Sequence, residues 1–121
     1  MENTEIKQLV QSFASCQTVL IALGDETRIH ILMEMLKIAA TKKRCEGMQV
    51  GEIAKISSLS RPAISHHIKI LKEAGIIQCH HLGTKNYYFL DPDDTKLQDV
   101  IRTLNQALAI SQKEKKEHEH P

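Results

Sequence analysis

The feature that most constrains the fold lies between residues 50 and 75, where a short polar turn separates two helical patterns. The first pattern is short, and its apolar positions are Val50, Ile53, Ala54 and Ile56. The turn, residues 57–60, reads SSLS. Ser60 suits an N-cap, and Pro62 fits an early helical position, where its missing N–H costs nothing. The sequence therefore predicts two helices joined by a tight turn.

The second helix and the segment after it complete a recognisable order. The apolar positions of this helix are Ile64, Ile68, Leu71 and Ala74. Gly75 is the expected C-terminal stop. Residues 76–81 and 86–90 are strand-like, with Gly83 in the turn between them, which predicts a β-hairpin. Helix, turn, helix and hairpin in this order are typical of a winged helix-turn-helix.

The two ends of the chain predict three further helices. Apolar residues from Ile6 to Leu20 recur at helical steps, and Asp25 is a plausible N-cap for a second helix that reaches Leu36. After Asp91–Asp94, a final helix carries apolar residues at steps of four and three, like a helix–helix interface. The predicted fold is mainly α with a small β-hairpin (α+β), with five helices and a two-stranded wing. The first and last helices predict a dimer interface formed by Ile6, Leu9, Phe13, Leu97, Ile101, Leu104 and Leu108.

The length of the chain, 121 residues, suits one domain, which we assign to residues 1–111. Residues 112–121 are charged and lack apolar side chains, which predicts a flexible tail. No apolar run approaches the roughly 20 residues that a membrane span needs. The N-terminal residues are polar and acidic, unlike a signal peptide, so we expect a cytoplasmic protein without membrane contact.

The distribution of charge is more informative than the net charge of +1. Residues 37–90 carry nine basic and three acidic side chains, while both ends of the chain are net acidic. A basic middle between acidic helices is typical of a segment that binds double-stranded DNA. A solvated basic face is the alternative interpretation of this charge pattern.

The candidate DNA contacts lie on the second helix of the pair and at the wing tip. A bidentate contact from Arg61 to guanine fits the major groove, whereas Lys69 and Lys72 suit phosphate contacts. The full set of candidates is Ser60, Arg61, Pro62, Ala63, Ser65, His66, Lys69, Lys72, Thr84 and Lys85.

Two longer segments resemble a known family. Residues 22–32 (ALGDETRIHIL) and 59–77 (LSRPAISHHIKILKEAGII) are similar to the opening and recognition segments of the ArsR/SmtB family. Gly83, Tyr88 and residues 90–92 fit the family's wing and exit. The resemblance implies a homodimeric transcriptional repressor that binds an inverted-repeat operator and that a small inducer usually releases.

The metal sites of that family are not carried over. Gln49 and Gly51 stand where many relatives have a cysteine pair. No histidine lies between Leu82 and Glu117, so the family's second site, on the last helix, is also missing. We therefore expect neither a metal nor a cofactor.

The cysteines allow a second kind of sensor, one based on a reactive thiol. Cys16 and Cys45 are the candidates, because the basic residues 42–44 would favour a Cys45 thiolate. The alternative is that Cys16 packs in the core and Cys45 has no special role. Metal ligation by Cys79 with its histidine neighbours, or by the histidines of the tail, is the weaker interpretation.

Two other classes of function were compared with DNA binding. A winged-helix module for protein–protein assembly would need large apolar side chains on its outer face, which instead carries Arg, Ser, His and Lys. An enzyme is not expected, since the adjacent Ser65 and His66 point in different directions on a helix. The sequence also lacks a Gly-rich phosphate loop.

Overall fold

Six α-helices and one antiparallel hairpin make up the part of the chain described by the computed structural model, residues 3–41 and 47–119. The elements are α1 (Asn3–Ser15), α2 (Gln17–Leu23), α3 (Glu26–Ala39), α4 (Val50–Ser57), α5 (Arg61–Glu73), β1 (Ile77–Leu82), β2 (Lys85–Leu90) and α6 (Asp94–Glu119). None of these helices is long and apolar enough to cross a membrane. The prediction of a mainly helical fold with one hairpin is confirmed.

The predicted helix count was wrong by one, because the N-terminal helix is broken at Cys16. The backbone there has φ −112° and ψ 15°, outside the helical range. Cys16 is 2% exposed, and its thiol donates to Thr103 Oγ1 on α6 at 3.6 Å. The break lets α1 pack along α6 while α2 contacts both α5 and α6. An unbroken helix would run straight past one of these neighbours.

The last helix is longer than the sequence predicted. It continues through residues 112–119, within the segment for which a flexible tail was predicted. Lys, Glu and Gln are good helix formers, so charge alone does not end a helix. Lys113 Nζ also lies 3.6 Å from Glu5 Oε1 on α1, which ties this segment to the other terminal helix.

The core is centred on the helix-turn-helix. Its fully buried aliphatic side chains are Ile31 on α3, Ile53 on α4, Ile64 and Leu71 on α5, and Ile77 on β1. Full burial of one such side chain stabilises the fold by about 1.5–3 kcal/mol. Three helices and the first strand are thereby fixed against one another.

The end of α5 and the hairpin are set by backbone geometry. Gly75 has φ +78°, and the N–H groups of Gly75 and Ile76 donate to the carbonyls of Lys72 and Leu71, both at 3.0 Å. This is a Schellman motif, which confirms Gly75 as the helix stop. The strands pair from Ile77↔Leu90 to Leu82↔Lys85.

A second connection fixes the wing to the rest of the domain. Met48, just before α4, exchanges two backbone hydrogen bonds with Tyr88 of β2, at 2.8 and 2.9 Å. Gly83 has φ +62° at the first position of the two-residue turn, as a type II′ hairpin requires. The hairpin therefore has a fixed position relative to α4.

Candidate nucleic-acid interface

The inner side of α5 anchors it. Ser60 is the N-cap, and its hydroxyl accepts from the Ala63 N–H at 3.3 Å, as the sequence predicted. Ile64, Ile68 and Leu71 are at most 2% exposed, so one side of the helix is sealed into the core. The opposite side is consequently held at a fixed orientation towards solvent.

The outer side of α5 and the hairpin tip present the predicted DNA contacts. Nine of the ten candidates are exposed, and Ala63 is half-buried. The exposed residues of the cap and of α5 are Ser60, Arg61, Pro62, Ser65, His66, Lys69 and Lys72, and those of the hairpin are Thr84 and Lys85. A small, polar and basic helix face of this kind allows close approach to base edges and phosphates.

The Arg61 side chain lies over the first turn of α4. A Cβ built on Gly51 would be 2.7 Å from Arg61 Nη2, so the absence of a side chain at Gly51 makes room for the guanidinium. Gln49 begins α4 as its N-cap, and its N–H donates to Glu52 Oε1 at 3.4 Å. The two positions where the resembling family carries cysteines thus serve helix capping and the packing of Arg61.

Sequence reasoning missed Arg28, a buried charged residue close to α5. It is 8% exposed and lies on α3, three residues after the N-cap Asp25. Its guanidinium contacts α2 and also His67 of α5, whose Nδ1 lies 3.3 Å from Nη1. The signal in the sequence was a single arginine at the start of an apolar helix.

Burial lowers the pKa of His67 below 6.5, and the nearby Arg28 and His66 act in the same direction, while the Asp25 carboxylate opposes them. The ring is half-buried, unlike that of the exposed neighbour His66. On the hairpin, burial raises the pKa of Tyr88. His81 and Asn86 are hydrogen-bonded across the two strands.

Of the two candidate sensor cysteines, the structure describes only Cys16. Cys16 is in the core, Cys79 is half-buried on β1, and Cys45 lies outside the described residues. Within residues 3–41 and 47–119, no three His, Cys, Asp or Glu side chains converge on a common point where a metal ion could bind.

The predicted dimer residues fall into two groups. Ile6, Leu9 and Leu97 are half-buried, and the first two line a groove against Ala107 and Ile110 of α6. The exposed group has fractional exposures of 37% for Phe13, 58% for Ile101, 50% for Leu104 and 54% for Leu108. Val10, 62% exposed, was not included in the prediction. The chain thus leaves an apolar surface on α1 and α6 uncovered.

A helix-turn-helix with a polar and basic outer face, followed by a β-hairpin, defines a winged-helix DNA-binding protein. Residues 25–78 match the family described as "Bacterial regulatory protein, arsR family". The chain belongs to this family, and it is a DNA-binding transcriptional regulator rather than an enzyme.

Similar proteins agree with this assignment. The chain is 30% identical over 97 residues to an uncharacterised HTH-type transcriptional regulator of Methanocaldococcus jannaschii, covering 80% of this chain and 99% of that one. It is 41% identical over 80 residues to the transcriptional repressor SdpR of Bacillus subtilis, covering 66% and 78%. An ArsR-like transcriptional regulator from Rhodococcus sp. RHA1 has a similar structure, with a TM-score of 0.67, 27% identity and 87% of each chain covered.

Proposed function

We propose that this regulator is a cytoplasmic repressor that binds an inverted-repeat operator as a homodimer, with α5 in the major groove. The observation that carries the proposal is the division of α5. Ile64, Ile68 and Leu71 are buried, while the face with Arg61, Ser65, His66, Lys69 and Lys72 is exposed. The similarity to the repressor SdpR supports repression.

Each part of the exposed surface has a separate role in this proposal. The N-terminal half of α5, with Arg61 and Ser65, lies against base edges and gives sequence preference. Lys69 and Lys72 contact phosphates, and the hairpin tip at Lys85 contacts the backbone beside the groove. The hydrogen bonds between Met48 and Tyr88 support this arrangement, because they hold the hairpin at a fixed position.

The homodimer rests on the apolar residues left uncovered on α1 and α6. Ile101, Leu104 and Leu108 recur at steps of three and four and are at least half exposed, so a second copy of the seam would bury them. Two copies related by a twofold axis present two α5 helices, which requires a two-part, inverted-repeat site.

The test is operator binding by the purified chain. Duplexes from upstream of its own gene, and duplexes selected from a random-sequence library, would be titrated at several salt concentrations. We expect sequence-selective binding to a site with twofold symmetry. Three lysines per protomer at phosphates give a slope of log K against log salt of about −5. Salt-insensitive binding, or no preference for any sequence, contradicts the proposal.

A pair of lysine variants separates phosphate contact from general charge. Lys69→Ala should weaken binding to all duplexes alike and reduce the salt slope by about 2, because both protomers lose one contact. Lys37→Ala is the matched control, since Lys37 is exposed on α3 and pairs with Glu34 at 3.1 Å. Lys37→Ala removes the same charge outside the proposed DNA-contact surface and should leave the salt slope unchanged.

A thiol signal is the proposed means of induction, and the burial of Cys16 restricts it. A thiol in the core, donating to Thr103, is shielded from oxidants. Operator binding would be compared with and without reductant, arsenite and zinc for the native chain, Cys16→Ser and Cys45→Ser. We expect at least one of these conditions to release the native chain from its operator, and Cys45→Ser to abolish that release. If operator binding is the same under every condition, thiol induction is contradicted.

A further inference from the structure

Arg28 occupies a position that the proposed DNA contacts do not use. It is 8% exposed where α2, α3 and α5 meet. Its Nε donates to the carbonyl of Ala22 at 2.8 Å and its Nη2 to that of Ile21 at 2.9 Å. A buried cation is costly unless its donors are satisfied, so these contacts determine where the guanidinium can lie.

The two carbonyls belong to the last turn of α2. Carbonyls at a helix C-terminus lack partners within the helix, and that end carries a partial negative charge. The Ile21 carbonyl also accepts from the Gly24 N–H at 3.2 Å, and Arg28 adds a second donor there and a positive charge at this end of the helix. Arg28 therefore couples the end of α2 to the start of α3. Because α2 packs against α6, this end of the guanidinium is connected to the terminal helices.

The other end of the guanidinium reaches α5, the recognition helix of the proposed function. Arg28 Nη1 lies 3.3 Å from His67 Nδ1, and the Asp25 carboxylate lies 3.9 Å from the same nitrogen. Arginine has donors and no acceptor, so His67 Nδ1 must accept. The ring is then neutral, with its proton on Nε2. Its neighbour in the chain, His66, belongs to the exposed face.

We propose that Arg28 and His67 position the recognition helix for DNA, and that they do so only while the His67 ring is neutral. The contact joins the side of α5 opposite its exposed face to α2 and α3, so it fixes the rotation of α5 about its own axis. The inference rests on the proposed function, in which α5 reads the operator. Neither residue touches DNA in this scheme.

The pH dependence follows from the groups that surround the ring. Burial, Arg28 and His66 lower the pKa of His67, while the Asp25 carboxylate raises it, and the net direction is downward from 6.5. The unfolded chain therefore binds the proton more readily than the folded chain. The neutral contact is fully present above pH 6.5 and is lost as the pH falls through the lowered pKa.

Two variants of His67 test the positioning role. Asn places a carbonyl oxygen near the position of Nδ1 and does not titrate, whereas Leu has a similar size and no acceptor. The probe is the highest-affinity duplex that the wild-type protein selects from a random-sequence library. We expect His67→Leu to weaken binding by at least about tenfold, because each of the two protomers loses one hydrogen bond to a charged group. His67→Asn should stay within about threefold of wild type.

A pH profile supplies the readout that a merely structural role would not change. Any effect of pH on binding that does not involve His67 is shared by the wild-type protein and the variant. The ratio of wild-type to His67→Asn affinity removes that shared effect. This ratio should be constant above pH 6.5 and should fall as the pH is lowered through the depressed pKa of His67.

The outcomes are distinguishable. Equal affinity of His67→Leu and wild type, with a flat ratio across pH, overturns the positioning role while DNA binding stands. Absence of sequence-selective binding by the wild-type protein overturns the proposed function instead. Thermal unfolding of each variant is recorded alongside; if His67→Leu is unfolded at the assay temperature, the pH ratio for the folded His67→Asn decides.

Discussion

The helix-turn-helix and the two terminal helices use their apolar residues in opposite ways. On α4 and α5, Ile53, Ile64 and Leu71 have no exposed surface. On α6, Ile101 and Leu108 expose 58% and 54% of theirs. A monomer rarely leaves a contiguous apolar surface of this kind uncovered. The helix-turn-helix therefore completes its core within one chain, whereas α1 and α6 leave apolar surface that the proposed homodimer would cover.

The largest expected effect on stability comes from the core of the helix-turn-helix. Ile64→Ala should lower the free energy of unfolding by about 2–5 kcal/mol, because it leaves a cavity where no exposed surface existed. Denaturant unfolding at one fixed protein concentration measures the loss. Glu73→Ala, on the exposed side of the same helix, is the control and should change stability by less than about 0.5 kcal/mol. Similar losses from both variants would mean that α5 is not anchored by its buried side.

A charge placed among the exposed apolar residues of α6 tests the proposed dimer interface. Leu104→Glu should weaken dimerisation by about 2–4 kcal/mol, because each dimer loses the burial of two leucines and gains two carboxylates. Sedimentation equilibrium measures the dissociation constant. Asn105→Glu, exposed one position along the same helix, introduces the same charge outside the seam and should leave the dimer intact. A Leu104→Glu protein that remains dimeric would place the interface elsewhere.

The next effect concerns sequence preference. Arg61→Ala should relax discrimination at one base position by about 1–3 kcal/mol, measured on duplexes with single substitutions. Equal weakening on every duplex would instead make Arg61 a phosphate contact.

Gly51→Ala sharpens the test of Arg61. The added Cβ would lie 2.7 Å from Arg61 Nη2 and would displace the guanidinium without removing it. Discrimination should therefore survive in Gly51→Ala. Its loss in both variants would show that the packing of Arg61 on α4, rather than base contact, is what matters.

The smallest expected effect concerns the glycine that ends α5. Gly75→Ala should cost about 1–2 kcal/mol, because its φ of +78° disfavours a side chain and the new Cβ would lie 2.9 Å from Lys96 Cδ. Gly83→Ala shares the positive φ but meets no atom within 4 Å, so about 1 kcal/mol is expected. Thermal unfolding of the pair separates backbone strain from contact. A larger loss at Gly83 would contradict this explanation.

Capping residues and helical periodicity predicted most of the helix-turn-helix. Asp25 and Ser60 are N-caps, as expected, and accept from the N–H groups of Arg28 and Ala63. A cap depends on residues three positions away, so its chemistry is visible in the sequence. The exposed positions on α5 were predicted for a similar reason, since helical periodicity separates them from Ile64 and Ile68.

The terminal helices were predicted less well because their ends depend on distant residues. The break at Cys16 follows from packing against Thr103, 87 positions along the chain. The continuation of α6 past Gln112 is accompanied by the ion pair between Lys113 and Glu5. The composition around Cys16 does not identify Thr103, and the composition around Lys113 does not identify Glu5. Residues 112–119 were therefore predicted to be a flexible tail.

The sequence by itself determined the order of the elements, the caps and stops of the central helices, and the basic outer face of α5. These properties come from intrinsic conformational preference and periodicity, which act over a few residues. Tertiary structure alone decided that Arg28 would be buried against α2 and His67, and that Arg61 would lie over Gly51. Both outcomes require segments far apart in sequence to meet, and the hydrogen-bonding needs of a buried charge act only after they have met.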